Sequence, residues 1–228
     1  MAPVLLTSAL LTSALLTPAL PTPTLPALLG LLDLAGIAVF ALSGALLGAK
    51  LRQDIVTMAF FALVTGVGGG SLRDLLIGAP VFWIHDRLVA PVCLGMALIV
   101  WFTPRRRWED DLLTWADAAG LAAYAVIGTG KALAYAVPPV PAVLMGVVTG
   151  CVGGIIRDIL AGRPSILMRR ELYVTAAALA ATLACVAQLA GLSTSLGWPI
   201  AIAAGFGLRA AAIRYHLGLP VYGGRRSD

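Results

Sequence analysis

Residues 65–80 read TGVGGGSLRDLLIGAP, and residues 149–164 read TGCVGGIIRDILAGRP. Thr, Gly, Gly, Gly, Arg, Asp, Leu, Gly and Pro recur in matching places at an offset of 84 residues. The same offset relates Asp33 to Asp117, Gly36 to Gly120, Phe40 to Tyr124 and Gly44 to Gly128. A register held without a gap over so long a stretch is a tandem duplication.

The duplicated unit is built for lipid. Of the 228 residues, 60% are apolar and 12% charged, and the mean hydropathy is +0.94, which excludes an ordinary soluble domain. Apolar runs long enough to cross about 30 Å of hydrocarbon fall near 28–49, 54–78, 86–103, 113–136, 140–162, 170–190 and 197–215. The expected fold is an all-α membrane protein of seven transmembrane helices. Its parts are a low-complexity N-terminal extension (1–27), a first three-helix repeat (28–111), a second (112–195), and a seventh helix with a basic tail (196–228). An odd number of spans per repeat makes the second enter the membrane from the opposite face, an inverted three-plus-three repeat of the kind found in proteins that move solutes. The extension repeats LLTSA, LLTSA, LLTPA without charge and lacks the basic n-region of a secretory signal.

Basic loop residues divide unevenly. Lys50, Arg52, Arg105, Arg106, Arg107, Arg163, Arg169, Arg170, Arg214, Arg225 and Arg226 fall on one side, and Arg87 on the other. The first side is expected to be cytoplasmic, with the N-terminus outside and the C-terminus inside the prokaryotic inner membrane. These residues are loop-end anchors beside lipid, so no nucleic-acid partner is expected.

Within the spans, Gly68, Gly69 and Gly70, and their counterparts Gly153 and Gly154, weaken a helix by about 1 kcal/mol each relative to alanine. Two readings stand: a bend or unwinding that frees backbone groups along a pathway, or close helix packing through Gly66/Gly70 and Gly150/Gly154 as G-x-x-x-G pairs. Arg73, Asp74, Arg157 and Asp158 follow at once, and ionisable groups in a span are candidates for function by default. Adjacent residues point about 100° apart on a helix, so each is expected to find its partner elsewhere, with Asp33 and Asp117 available near the starts of spans one and four. Lys131 breaks the symmetry, its counterpart being Leu47; it either snorkels to the interface or lines the pathway as a gating charge. Arg209 and Arg214 are expected to snorkel.

Cys93, Cys151 and Cys185 lie in separate spans and read as packed free thiols; His85 and His216 lack neighbours at metal-ligand spacing. Without a phosphate loop, G-x-S-x-G or H-E-x-x-H, the sequence reads as neither a nucleotide-binding protein nor an enzyme, and no cofactor or metal is expected beyond a permeating K+.

Seven spans, the repeat, and the paired GVGGGSLRDLLIG and GCVGGIIRDILAG motifs resemble the prokaryotic branch of the trimeric intracellular cation channel family, also labelled putative glycine transporters. The resemblance covers about residues 28–215. It implies a homotrimer in membrane lipid, each protomer enclosing a pore for monovalent cations, chiefly potassium. It also implies second and fifth spans kinked at Gly68, Gly69, Gly70, Gly153 and Gly154, and a gating role for a lysine on the helix that carries Lys131. Animal members bind phosphoinositide through a Lys-Glu motif where this chain has Gly-Gly-x-x-Arg-Asp. A carrier of glycine or another small zwitterion is the alternative reading, and a membrane scaffold a third.

Overall fold

The computed structural model describes residues 27–104, 111–168 and 171–220. Arg105, Arg106, Arg107, Arg169, Arg170, Arg225 and Arg226, and most of the extension, lie outside the described residues. Seven α-helices are seen among them: α1 Ala27–Lys50, α2 Ile55–Leu76, α3 Val89–Phe102, α4 Leu112–Ala134, α5 Pro139–Leu160, α6 Val174–Leu189 and α7 Thr194–Tyr215. Five are long and apolar enough to cross a membrane; α3 and α6 are apolar but shorter. At 1.5 Å per residue these two cover only about 20–24 Å. Asp33 onward forms one compact unit, and the packing below is described within it.

The duplication extends to the backbone. Helix α5 starts and ends 84 residues after α2, and the short 3-10 turns at Phe82–Ile84 and Ile166–Met168 keep the same offset. So do the left-handed residues Arg52 and Ala136, and Gly78 and Gly162. After each Arg-Asp pair the chain leaves its helix through one such glycine, whose φ of 69° or 63° has no steric cost without a Cβ. The helix starts differ. Asp54 caps α2 by accepting from the Thr57 amide at 2.8 Å, whereas α5 opens on Pro138 and Pro139, whose fixed φ suits a first turn.

Two buried clusters form the core. One joins Ile37, Phe40, Ala45, Met58, Val89 and Cys93. The other is rich in alanine, with Ala176, Ala177, Ala180, Ala181 and Ala184 of α6 set among α4, α5 and α7. Small side chains bring backbones close, which substitutes for the hydrophobic drive that lipid withholds. The three cysteines are buried and free.

Helices α2 and α5 meet through their glycines. A Cβ at Gly69 would overlap the Thr149 carbonyl, and one at Gly153 would stand 2.5 Å from the Thr65 carbonyl. Each contact is the other displaced by 84 residues. A second such pair sets Gly36 against Tyr124 and Gly120 against Phe40, with the two rings 5.4 Å apart. The expected unwinding at the glycines is corrected here: hydrogen-bonded helix continues from Ile55 to Leu76 and from Pro139 to Leu160. Keeping the ladder intact avoids orphaned backbone groups in lipid, and the glycines serve the backbone-to-backbone contact.

Candidate functional site: two clusters of buried charge

Arg73 and Asp74 stand near the C-terminus of α2. Asp74 is fully buried and Arg73 is 3% exposed. Arg73 grips its own neighbour: Nε donates to Asp74 Oδ1 at 2.8 Å, with Nη2 at 2.7 Å. This overturns the expectation that adjacent residues would not pair. The 100° between them separates Cβ vectors, and the long arginine stem curls back across it. The same Oδ1 receives Lys131 Nζ from the end of α4 at 2.8 Å, and Oδ2 accepts the Phe82 amide at 2.9 Å. The Phe82 ring lies 5.9 Å from both Arg73 and Lys131, within cation–π range. Trp83 donates to Ser71 at 2.9 Å, pinning this turn to α2.

The second cluster repeats the pair and changes the rest. Arg157 Nε donates to Asp158 Oδ1 at 2.9 Å. Its Nη1 reaches both Asp117 Oδ1 of α4 and Ser43 Oγ of α1, each at 2.9 Å. Arg157 and Asp117 are each 1% exposed. Removing such charges from water costs several kcal/mol per ion unless partners restore the interaction, and here one guanidinium serves two carboxylates. Asp117 thus meets the expected arginine. Asp33, its counterpart, instead accepts from the Tyr124 hydroxyl at 3.1 Å. Neither aspartate lies in the first turn of its helix, so the N-terminal dipole does not hold them.

Lys131 and Asp117 are 14 residues apart on α4, about 21 Å along its axis. The C-terminus of α2 therefore meets one end of α4, and the C-terminus of α5 meets the other.

Lys131 does not snorkel; its ammonium is turned inward onto Asp74. Arg209 is corrected likewise. It is 1% exposed, bound to Glu171 at 2.5 Å, and stacked 5.3 Å from the Tyr173 ring. Arg214 is exposed, as is each histidine. Sequence reasoning missed Ser43, Phe82, Tyr173 and Glu171. A lone serine in an apolar span was the one signal available for Ser43. The Phe82 contact is a backbone amide, and side-chain identity does not encode it.

The sequence model described as "Glycine transporter" matches this chain twice, at residues 30–105 and 114–189. The two matches are again 84 residues apart. The chain is 40% identical over 200 residues to the UPF0126 inner membrane protein YadS of Escherichia coli strain K12, covering 84% of this chain and 94% of that one. It is 40% identical over 201 residues to a UPF0126 membrane protein of Vibrio cholerae, covering 86% and 83%. Among solved structures it is similar to the TRIC trimeric intracellular cation channel orthologue from Rhodobacter sphaeroides, with 39% identity, a TM-score of 0.77, and 82% and 97% of the two chains covered. A prokaryotic TRIC channel crystallised in 0.5 M KCl gives 26% identity and a TM-score of 0.77, covering 84% and 98%. Fold and site thus define a polytopic helical membrane protein. The chain belongs to the prokaryotic branch of the trimeric intracellular cation channel family, whose sequence model carries the glycine transporter description.

Proposed function

We propose that the protein is a cation channel, selective for monovalent ions with potassium preferred, whose pathway runs within each protomer between two inversely inserted repeats. The observation that carries this reading is the pair of buried charge clusters at opposite ends of α4, within a chain that matches solved cation channels over almost their whole length. The reciprocal contacts of Gly69 with Thr149 and Gly153 with Thr65 support the inversion, because a two-fold relation makes i meet j wherever j meets i. Its axis lies in the membrane plane, and the repeats divide the chain at 28–111 and 112–195. Assembly as a homotrimer in the prokaryotic inner membrane, with the C-terminus cytoplasmic, follows the relatives and the basic loops.

In this reading Gly68, Gly69, Gly70, Gly153 and Gly154 let α2 and α5 flex against each other. Thr65 and Thr149, one turn earlier, each donate back to the carbonyl four residues before at 2.6 Å, which favours helix bending. Lys131 is the gating charge, held on Asp74 when the first end is closed. Arg73, Asp74, Arg157, Asp158, Asp33 and Asp117 lock the repeats and border the route. No cofactor is needed for passive conduction. Planar-bilayer recording of the purified protein tests this: discrete steps carried by potassium are expected. A silent bilayer with saturable uptake of labelled glycine would overturn it in favour of the zwitterion carrier, which the family's description and the presence of both charge signs at each cluster support.

A further inference from the structure

Each half of the protein stations a second cation beside its Arg-Asp pair, but takes it from a different element. In the first half it is Lys131, at the end of α4, with its ammonium on Asp74. The corresponding position in the second half is Leu47, which lines a small cavity together with Asp117, Arg157, Asp158 and Arg163. Arg163 is the added cation here, and its own counterpart is Ala79, which is buried. The backbone holds the two alike. Each follows a left-handed glycine, Gly78 or Gly162, and precedes a proline of fixed φ. Each donates its amide to the aspartate carbonyl five residues earlier, Ala79 to Asp74 at 2.8 Å and Arg163 to Asp158 at 3.0 Å. Arg163 is thus pinned by its main chain at the end of α5, while the residue is exposed and, among the described residues, enters no ion pair. Exposure rises along the cavity wall from Asp117 and Arg157, both buried, through the half-buried Thr114 to Arg163, so Arg163 marks the end that faces solvent.

We infer that Arg163 is a selectivity residue at this mouth of the pathway: its guanidinium cancels the negative charge left by Asp117, Asp158 and Arg157, and so denies divalent cations an advantage over monovalent ones. The inference rests on the channel reading and adds to it a residue that decides between ion classes. With Arg163 counted, two guanidinium groups stand with two carboxylates along the cavity wall. Without it one negative charge remains, and Coulomb attraction to that charge is twice as strong for magnesium or calcium as for potassium. An ion entering by this end passes within the Debye length of Arg163, about 8–10 Å at moderate salt. The guanidinium keeps its charge at any working pH, but an exposed charge is screened as ionic strength rises. Ala79 supplies no charge at the equivalent place in the first half, where Lys131 does so from α4 instead.

Planar-bilayer recording of the wild type beside Arg163→Ala, Arg163→Gln and Arg163→Lys tests this. In about 0.1 M salt the two uncharged variants should raise the permeability of magnesium relative to potassium by roughly two- to fivefold, and Arg163→Lys should keep the wild-type ratio. In about 1 M salt, where the Debye length falls to about 3 Å, the difference should largely vanish. The change should also fall on one limb of the current–voltage curve, the limb in which ions enter past Arg163. A wild-type ratio in both uncharged variants overturns the role. So does a shift that persists in high salt or alters both limbs equally, because each marks a general loosening of the structure and not the loss of a charge at one mouth. Should Arg163→Ala not fold, Arg163→Gln against Arg163→Lys decides the question on the same readouts. A wild type that conducts while the variants keep its selectivity refutes Arg163 alone; a silent wild type refutes the channel reading and the role with it.

Discussion

The first charge cluster is closed by Lys131, which reaches across from the second repeat, while the second is closed by an aspartate of its own repeat and a serine of the other. In the first, Asp74 is the hub and is satisfied by two cations and a backbone amide. In the second, Arg157 is the hub and must serve two acids and a hydroxyl. Duplication copied the Arg-Asp pair, and divergence at the facing position made one hub anionic and the other cationic. An equivalent substitution in each should therefore have unequal consequences.

The largest expected effect breaks the cationic hub. Arg157→Met takes from Asp117 and Asp158 the guanidinium they share and should cost on the order of 3–5 kcal/mol, read as a lower Tm and a poorer yield of folded protein in detergent. Arg73→Met should cost clearly less, since Asp74 keeps Lys131 and the Phe82 amide; equal losses would break the comparison. Next comes the helix contact. Gly69→Ala drives a methyl into the Thr149 carbonyl and should destabilise by about 1–3 kcal/mol, with reduced flux. Gly68→Ala meets the flexible tip of Ile156 at 3.3 Å and the Gly153 Cα at an ordinary contact distance of 3.8 Å, and should be neutral or gain up to about 1 kcal/mol in helix propensity. Parallel Tm measurements separate the two.

Lys131→Met should alter stability by about 1 kcal/mol or less, because its side chain is 26% exposed and Asp74 retains other partners. Its signature is a changed current–voltage curve, and an unchanged curve would reduce Lys131 to a structural tie. Smallest is the difference between the helix starts. The cap holds the Asp54 carboxyl below the usual aspartate value, chiefly through the Thr57 amide. A depressed folded value contributes stability above the unfolded pKa of about 3.9, lost as pH falls through the folded value. The Tm gap between wild type and Asp54→Ala should therefore be present at pH 7 and close below about pH 4.

Much of the fold was legible in the sequence. Seven apolar runs predicted seven helices to within a few residues, since lipid demands both length and apolarity. The 84-residue register anticipated the matching backbone at Gly78 and Gly162. The charged residues were legible as a set but not as partners. Arg73 was expected to look away from Asp74 and does not; Arg209 was expected at the interface and is buried. Side-chain reach and the face a helix turns inward depend on neighbours that periodicity does not name.

The sequence by itself determined a duplicated, lipid-dissolved helical chain, because hydropathy and repetition are properties of the string and the membrane enforces their meaning. Only the tertiary structure decided that the glycines join two uninterrupted helices, and that the Lys131 ammonium settles on Asp74 while Asp117 takes Arg157. Those outcomes depend on distances of about 3 Å between residues as much as 114 positions apart, and at that range packing, not composition, chooses which charge meets which.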